Sequence, residues 1–206
     1  MRLEEFITDE KSLRLLERTR EYAKHFFERE GTHGFSHVER VFNLCMHIGK
    51  EEGADLEILG LAALLHDIAR PLESAGRVED HAVEGARIAR HFLRSLGYPE
   101  ERIEAVAHAI EAHRFSRGPE PQTLEAKILS DADKLDAIGA IGIARVFMYS
   151  GEHGRDIEAS LRHFEEKILK LKNLMYTETA KKMAEERHRF TEQFIERIRR
   201  EIEGEI

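Results

Sequence analysis

The sequence predicts an all-α fold, and two observations carry that prediction. Apolar residues recur at helical spacing along almost the whole chain, with no sustained alternation of the kind a half-buried strand needs. The periodic runs are bounded by residues that start and stop helices: Ser36, Asp55 and Thr123 at starts, and Gly31, Gly53 and Gly97 at ends. No Ser- or Gly-rich linker and no internal repeat interrupts them. The expectation is one compact domain over residues 1–206, with a motif-bearing core at about 30–148 and a helical C-terminal extension at about 150–206.

The elements follow in order. A first helix is expected from near Asp9 to Glu30, with Leu13, Leu16, Tyr22, Phe26 and Phe27 on its apolar side and Gly31 as its stop. Residues 32–35 connect it to a second. There Ser36-His37-Val38-Glu39 fits a capping box, in which the Ser and Glu side chains each satisfy an orphan amide. His37 then lies in the first turn, beside a stripe of Val41, Leu44 and Ile48. The third helix, roughly Leu56 to Ala69, is apolar on nearly every side, which marks a central buried helix. Asp55 can cap it, and Arg70-Pro71 ends it. A fourth runs from about Glu79 to Leu96. A fifth opens at Pro99 and ends near His113, and the stretch from Arg117 to Pro121 reads as a turn. Thr123 caps a sixth helix through the Asp131 region. Ala137 to Met148, Ile157 to Leu174 and Thr179 to Ile202 complete the set.

Composition excludes several classes of function. Lys and Arg number 32 against 40 Asp and Glu, so the formal charge is −8. An acidic chain argues against polynucleotide or anionic-membrane binding, though a local basic pocket stays open. A single cysteine, Cys45, rules out an internal disulfide and reads as core. The first ten residues lack a signal peptide's cationic start and apolar core. The apolar run Ile58 to Leu65 is far short of the roughly 20 residues a bilayer needs. A cytoplasmic protein is the expectation. Scarce amides (Asn43, Asn173, Gln122 and Gln193) among many charges resemble heat-adapted composition. The 12 histidines are the odd feature.

Chemistry concentrates at His66-Asp67, at the end of the most buried helix. A charge buried there costs several kcal/mol unless it is paired or binds a metal. Other candidates share this character. His37 opens a helix beside an apolar stripe. Asp131, Asp133 and Asp136 interrupt an apolar run, with Asp133 near its inward face. Imidazole and carboxylate together suit Mn, Fe, Co, Ni or Zn.

The order His37, His66-Asp67, Asp133 resembles the signature of the HD-domain metal-dependent phosphohydrolase superfamily. The surrounding segments strengthen the likeness: Gly34-Phe35-Ser36-His37-Val38-Glu39-Arg40-Val41, Ala63-Leu64-Leu65-His66-Asp67-Ile68, and Asp131-Ala132-Asp133-Lys134-Leu135-Asp136-Ala137-Ile138-Gly139. The tail, with Tyr176-Thr177-Glu178-Thr179-Ala180 and Glu185-Glu186-Arg187-His188-Arg189-Phe190, resembles a subgroup of small HD hydrolases. The resemblance implies an HD-type helical bundle with the C-terminal helices packed on it. It implies one divalent transition metal on His37, His66, Asp67 and Asp133, and hydrolysis of a phosphate ester or anhydride. Nucleotides are the usual substrates of such enzymes, and nucleoside triphosphate pyrophosphohydrolysis is the nearest analogue. The alternatives are a phosphodiesterase for cyclic nucleotides or dinucleotides, and a non-catalytic nucleotide-binding domain.

Roles follow from that chemistry. A bound ion lowers the pKa of its water and offsets developing charge. Asp67, with His66 beside it, is placed to orient that water or accept its proton. Arg40, Arg70, Lys134 and Arg187 are the phosphate-binding candidates, since guanidinium and ammonium groups hold phosphate oxygens. His81, His108 and His113 fall between the HD pair and Asp133, where they would build a second ion site or touch substrate. Asp131 is the alternative fourth ligand. His33 is intermediate, and His25, His47, His91, His153, His163 and His188 read as surface or packing residues.

Overall fold

The computed structural model describes residues 3–27, 34–114 and 118–205. Among these residues every regular element is helical. The chain separates into two compact units, Met1–Ala132 and Asp133–Ile206.

The first unit holds α1 (Glu10–Lys24), α2 (Phe35–Glu52), α3 (Leu56–Leu65), α4 (Arg70–Ser74), α5 (His81–Ser95), α6 (Glu100–Ala112) and most of α7 (Leu124–Asp136). α3 is its centre, as its all-round apolar surface requires: every residue from Leu59 to Leu65 is buried. It packs against α1, α2, α5 and α6. Gly60 permits the close approach. A Cβ there would lie 2.9 Å from Leu16 of α1, and 3.2 and 3.3 Å from Phe42 and Met46 of α2. Asp55 caps α3 as expected, its Oδ1 accepting from the amides of Glu57 and Ile58, both at 3.1 Å.

Several boundaries differ from the sequence expectation, each for a local reason. α1 ends at Lys24 instead of Glu30, where His25 Nδ1 meets the Glu21 carbonyl at 2.6 Å and satisfies the last turn. Gly31 and His33 lie outside the described residues, as does Arg117 at the start of the expected turn. The capping box does not form: α2 begins at Phe35 with Gly34 as its N-cap and no side-chain cap bond. Glu39 pairs with Arg20 of α1 at 2.8 Å instead, and Arg20 also lies over the Phe42 ring. A half-buried ion pair between helices has displaced a local cap.

α3 stops at Leu65, four residues earlier than expected, and residues 66–69 form turns. Pro71 does not end α3 but sits in the first turn of α4, where its missing N–H costs no helical bond. Asp80 caps α5 through the amides of Ala82 and Val83. α6 starts after Pro99 and ends with His113 as its C-cap. Thr123 Oγ1 accepts from the Ala126 amide at 3.1 Å and opens α7.

In the second unit, α8 (Gly139–Glu152), α9 (Ile157–Glu166), a 3₁₀ segment (Ile168–Leu174) and α10 (Glu178–Ile202) pack together. The single helix expected from Ile157 to Leu174 breaks at Lys167, whose φ is −129°. Beyond it Ile168 and Leu171 are both buried, and a three-residue turn stacks side chains at that spacing. Phe147 of α8 meets Phe164 of α9 and Phe194 of α10. Gly139, at φ +76°, lets Arg187 of α10 lie across it. Its amide donates to Thr191 Oγ1 at 2.9 Å. No described helix is long and apolar enough to cross a membrane.

Candidate metal centre

The early end of α3 creates the site. His66 is the C-cap of α3, and its Nδ1 lies 2.8 Å from the carbonyl of Ala63 in the last turn. α6 ends the same way: His113 is its C-cap, with Nδ1 2.6 Å from the carbonyl of Ile110. Helix C-termini leave carbonyls without intrahelical partners, and these two are met by imidazole N–H groups. A carbonyl only accepts, so in each neutral ring Nδ1 carries the hydrogen and Nε2 the lone pair. Both Nε2 atoms face Asp67.

Asp67 is the hub. Its Oδ2 lies 3.7 Å from His37 Nε2 and 3.9 Å from His66 Nε2. Its Oδ1 lies 3.1 Å from His81 Nε2 and 3.8 Å from His113 Nε2. All five residues are buried. The rings meet edge to face in the order His37, His66, His113, His81, with centroids 5.1 to 5.4 Å apart. Burial alone would push the Asp67 carboxyl up. The histidines more than reverse this, His66 first and then the bond from His81, and hold it well below the usual carboxylate range.

The donor set fits a divalent cation. The ligand atoms of His66, Asp67 and His113 lie within 4.8 Å of one another. Borderline imidazole nitrogen and hard carboxylate oxygen are the donors that transition metals of this class take. Second-nitrogen bonds to main-chain carbonyls are the usual means of aiming such ligands.

A polar network stands behind His81, the first residue of α5. Its Nδ1 is 2.9 Å from Glu73 Oε2 on α4. Arg70 NH1 donates to the same oxygen at 3.2 Å. Arg114 NH1 donates to Glu73 Oε1 at 2.9 Å and contacts Asp80 Oδ2 at 3.1 Å. Burial pushes the Glu73 carboxyl up, but His81, Arg70 and Arg114 bring it below its ordinary value. Sequence reasoning missed Glu73 and Arg114. Asp80 carried a signal as a residue ahead of an amphipathic run, whereas Glu73 and Arg114 look like any other charge.

The other expected residues fall as follows. His108 is on α6, apart from the Asp67 group, and its Nε2 accepts from the Gln122 amide at 3.1 Å. Asp131 is fully buried on α7. Asp133 lies one turn after Ser130, whose hydroxyl donates to the His113 carbonyl at 3.1 Å. Lys134 is buried with its Nζ 4.9 Å from the centre of the Tyr176 ring, and Asp136 pairs with Arg145. Arg40 is half-buried on α2. Arg187 NH1 donates to the Leu135 carbonyl at 2.6 Å. His47 packs edge-on to Phe6, His153 stacks on Tyr149, and His188 contacts Glu192.

Comparison with known proteins fits this arrangement. A family model, the HD domain, matches residues 34–138, from the N-cap of α2 to the residue before α8. The chain belongs to the HD-domain family. Bacillus subtilis YpgQ is 37% identical over 203 residues, covering 94% of this chain and 97% of that protein. The crystal structure of YpgQ in complex with ADP superposes with a TM-score of 0.77 at 34% identity, covering 92% of this chain and 98% of that one. An HD-superfamily hydrolase from Bacillus thuringiensis gives a TM-score of 0.77 at 37% identity over 94% of this chain and all of that one. HD domains bind divalent metals, and the His and Asp cluster around Asp67 could hold one.

Proposed function

We propose that this HD protein is a metal-dependent phosphohydrolase acting on nucleotides, with nucleoside triphosphate pyrophosphohydrolysis as its leading activity. What carries the proposal is the surround of Asp67: a buried carboxylate among four imidazoles, two of them aimed by helix-end carbonyls. A buried carboxylate ringed by imidazole nitrogens is a setting in which a divalent cation would satisfy the buried charge. The ADP held by the YpgQ crystals supports a nucleotide as ligand.

His37, His66, Asp67 and Asp133 would hold the ion. The likeness in sequence order supports this set. A bound divalent ion supplies Lewis-acid chemistry, polarising a phosphoryl oxygen and activating water near neutral pH. Asp67 orients the attacking water and takes up its proton, with His66 fixed beside it. Arg40, Arg70, Lys134 and Arg187 hold phosphate oxygens, the guanidinium groups through paired N–H donors. The acidic chain does not oppose this, since a small anion meets only its local field.

The test is direct. Purified protein with added Mn, Co or Ni is assayed on triphosphates, monophosphates and cyclic nucleotides. Release of pyrophosphate or phosphate that EDTA abolishes is the expected result. No turnover anywhere in the panel, with a full complement of metal, would replace hydrolysis with binding.

A further inference from the structure

His66, His113 and His81 each meet a partner at Nδ1, and the partners are of two kinds. His66 and His113 are held by main-chain carbonyls. His81 is held by side chains, with Glu73 Oε2 at 2.9 Å and Arg70 NH1 at 3.1 Å from its Nδ1. His81 also makes the closest approach to Asp67, at 3.1 Å. A carboxylate at Nδ1 fixes ring direction and hydrogen position more strongly than a carbonyl does, because the bond is charge-assisted.

Glu73 is itself immobilised. Arg70 clamps the oxygen that faces His81, and Arg114 clamps the other. Three donors from α4, α5 and the end of α6 therefore converge on one carboxylate, whose side chain is 20% exposed. α4 exists only because the chain leaves α3 early and restarts at Arg70-Pro71. That restart, packed on α5, brings Glu73 behind His81.

We propose that Glu73 is a positioning residue for the site, holding the Nδ1 edge of His81 so that its Nε2 edge stays directed at Asp67. Arg70 and Arg114 fix the Glu73 carboxylate in that task. The proposal rests on the phosphohydrolase reading only for its kinetic readout, and its structural readout stands without it.

The experiment is a double-mutant cycle over Glu73→Ala, His81→Ala and the pair, with Glu73→Gln as the conservative variant. Two quantities are read: the ¹⁵N chemical-shift pattern of the His81 imidazole, and kcat and KM on the best nucleotide of the panel. Glu73→Ala is expected to change the His81 ¹⁵N pattern, because Nδ1 loses its carboxylate partner. It should lower kcat about 10- to 100-fold with KM within about threefold. Glu73→Gln, whose side-chain oxygen still accepts from Nδ1, should recover most of both. In the His81→Ala background, removing Glu73 should have almost no further effect, since its action runs through the ring. Fully multiplicative losses, or an unchanged His81 ¹⁵N pattern in Glu73→Ala, would overturn the proposal. Should Glu73→Ala not fold, the spectrum of Glu73→Gln decides: a wild-type-like His81 pattern supports it and a changed one overturns it. Should the wild type hydrolyse no nucleotide, the spectra alone decide, so failure of the functional reading is distinguishable from failure of this one.

Discussion

His81 Nε2 stands 3.1 Å from Asp67 Oδ1, the closest of four imidazole approaches to that buried carboxylate. All four rings approach the Asp67 carboxylate, so Asp67→Asn is the sharpest single change available. It keeps shape and removes the anion. Metal bound by the purified protein should fall at least about tenfold and nucleotide hydrolysis at least about 100-fold. Circular dichroism should stay helical, because the core of α3 is untouched. Metal analysis beside an activity assay checks it. Full metal content with full activity would remove Asp67 from the centre.

At the other end of α3, Asp55 works on stability and not on chemistry. Its carboxylate caps the helix and pairs with Arg102 at 2.9 Å. A ten-residue helix separates it from His66, about 15 Å along the axis. Asp55→Ala should cost about 1 to 2 kcal/mol in urea unfolding and leave kcat unchanged. Burial acts to raise the Asp55 carboxyl, but the Arg102 bond and the helix amides outweigh it and lower it below 3.8. A depressed folded value means the stabilisation is complete above the unfolded value and fades as pH falls through the folded one. The gap between wild type and Asp55→Ala should therefore be constant from neutral pH to about 5 and close below 3.8. A gap that persists at pH 2 would show that packing, not charge, is responsible.

The sequence carried much of this architecture because its signals are local. Asp55, Thr123, Gly53 and Gly97 each bound a helix through neighbours within four residues, and all four stand where they were expected. The capping box at Ser36 failed because Glu39 answers to Arg20 of another helix, which no window of sequence contains. For the site, the histidines and aspartates were visible as buried ionisable groups in a largely apolar setting. Their second-nitrogen partners were not: the Ala63 and Ile110 carbonyls belong to any residue type. α4 was missed because a proline after an apolar run reads as an end, whereas here it opens a new turn.

Two glycines of α8 make a matched pair with opposite expected signs. At Gly151 a Cβ meets nothing within 4 Å. Gly151→Ala should stabilise by about 0.5 to 1 kcal/mol through helix propensity and a less flexible unfolded chain. At Gly142 a Cβ would run into the backbone carbonyl of Ala137, which cannot rotate aside. The same propensity gain is then outweighed by a steric cost of about 1 to 3 kcal/mol. Gly142→Ala should lower the melting temperature where Gly151→Ala raises it. Thermal melts of the two variants side by side settle the sign.

Arg187 is the last residue whose two roles can be separated. Its NH1 donates to the Leu135 carbonyl at 2.6 Å, and its stem lies against Gly139. Burial lowers its pKa, with Asp136 opposing, yet an arginine stays charged in proteins. One guanidinium offers five N–H donors, so a group that holds a carbonyl through NH1 can still hold phosphate. Arg187→Met removes both functions while keeping the stem. It should cost about 1 to 3 kcal/mol, because the Leu135 carbonyl loses its donor, and raise KM for a nucleoside triphosphate about tenfold. Arg187→Lys keeps the charge but not the planar fork, so KM should recover only in part. A melting temperature that falls while KM stays at the wild-type value would assign Arg187 to the packing of α10 against the Leu135–Gly139 segment and remove it from the phosphate site.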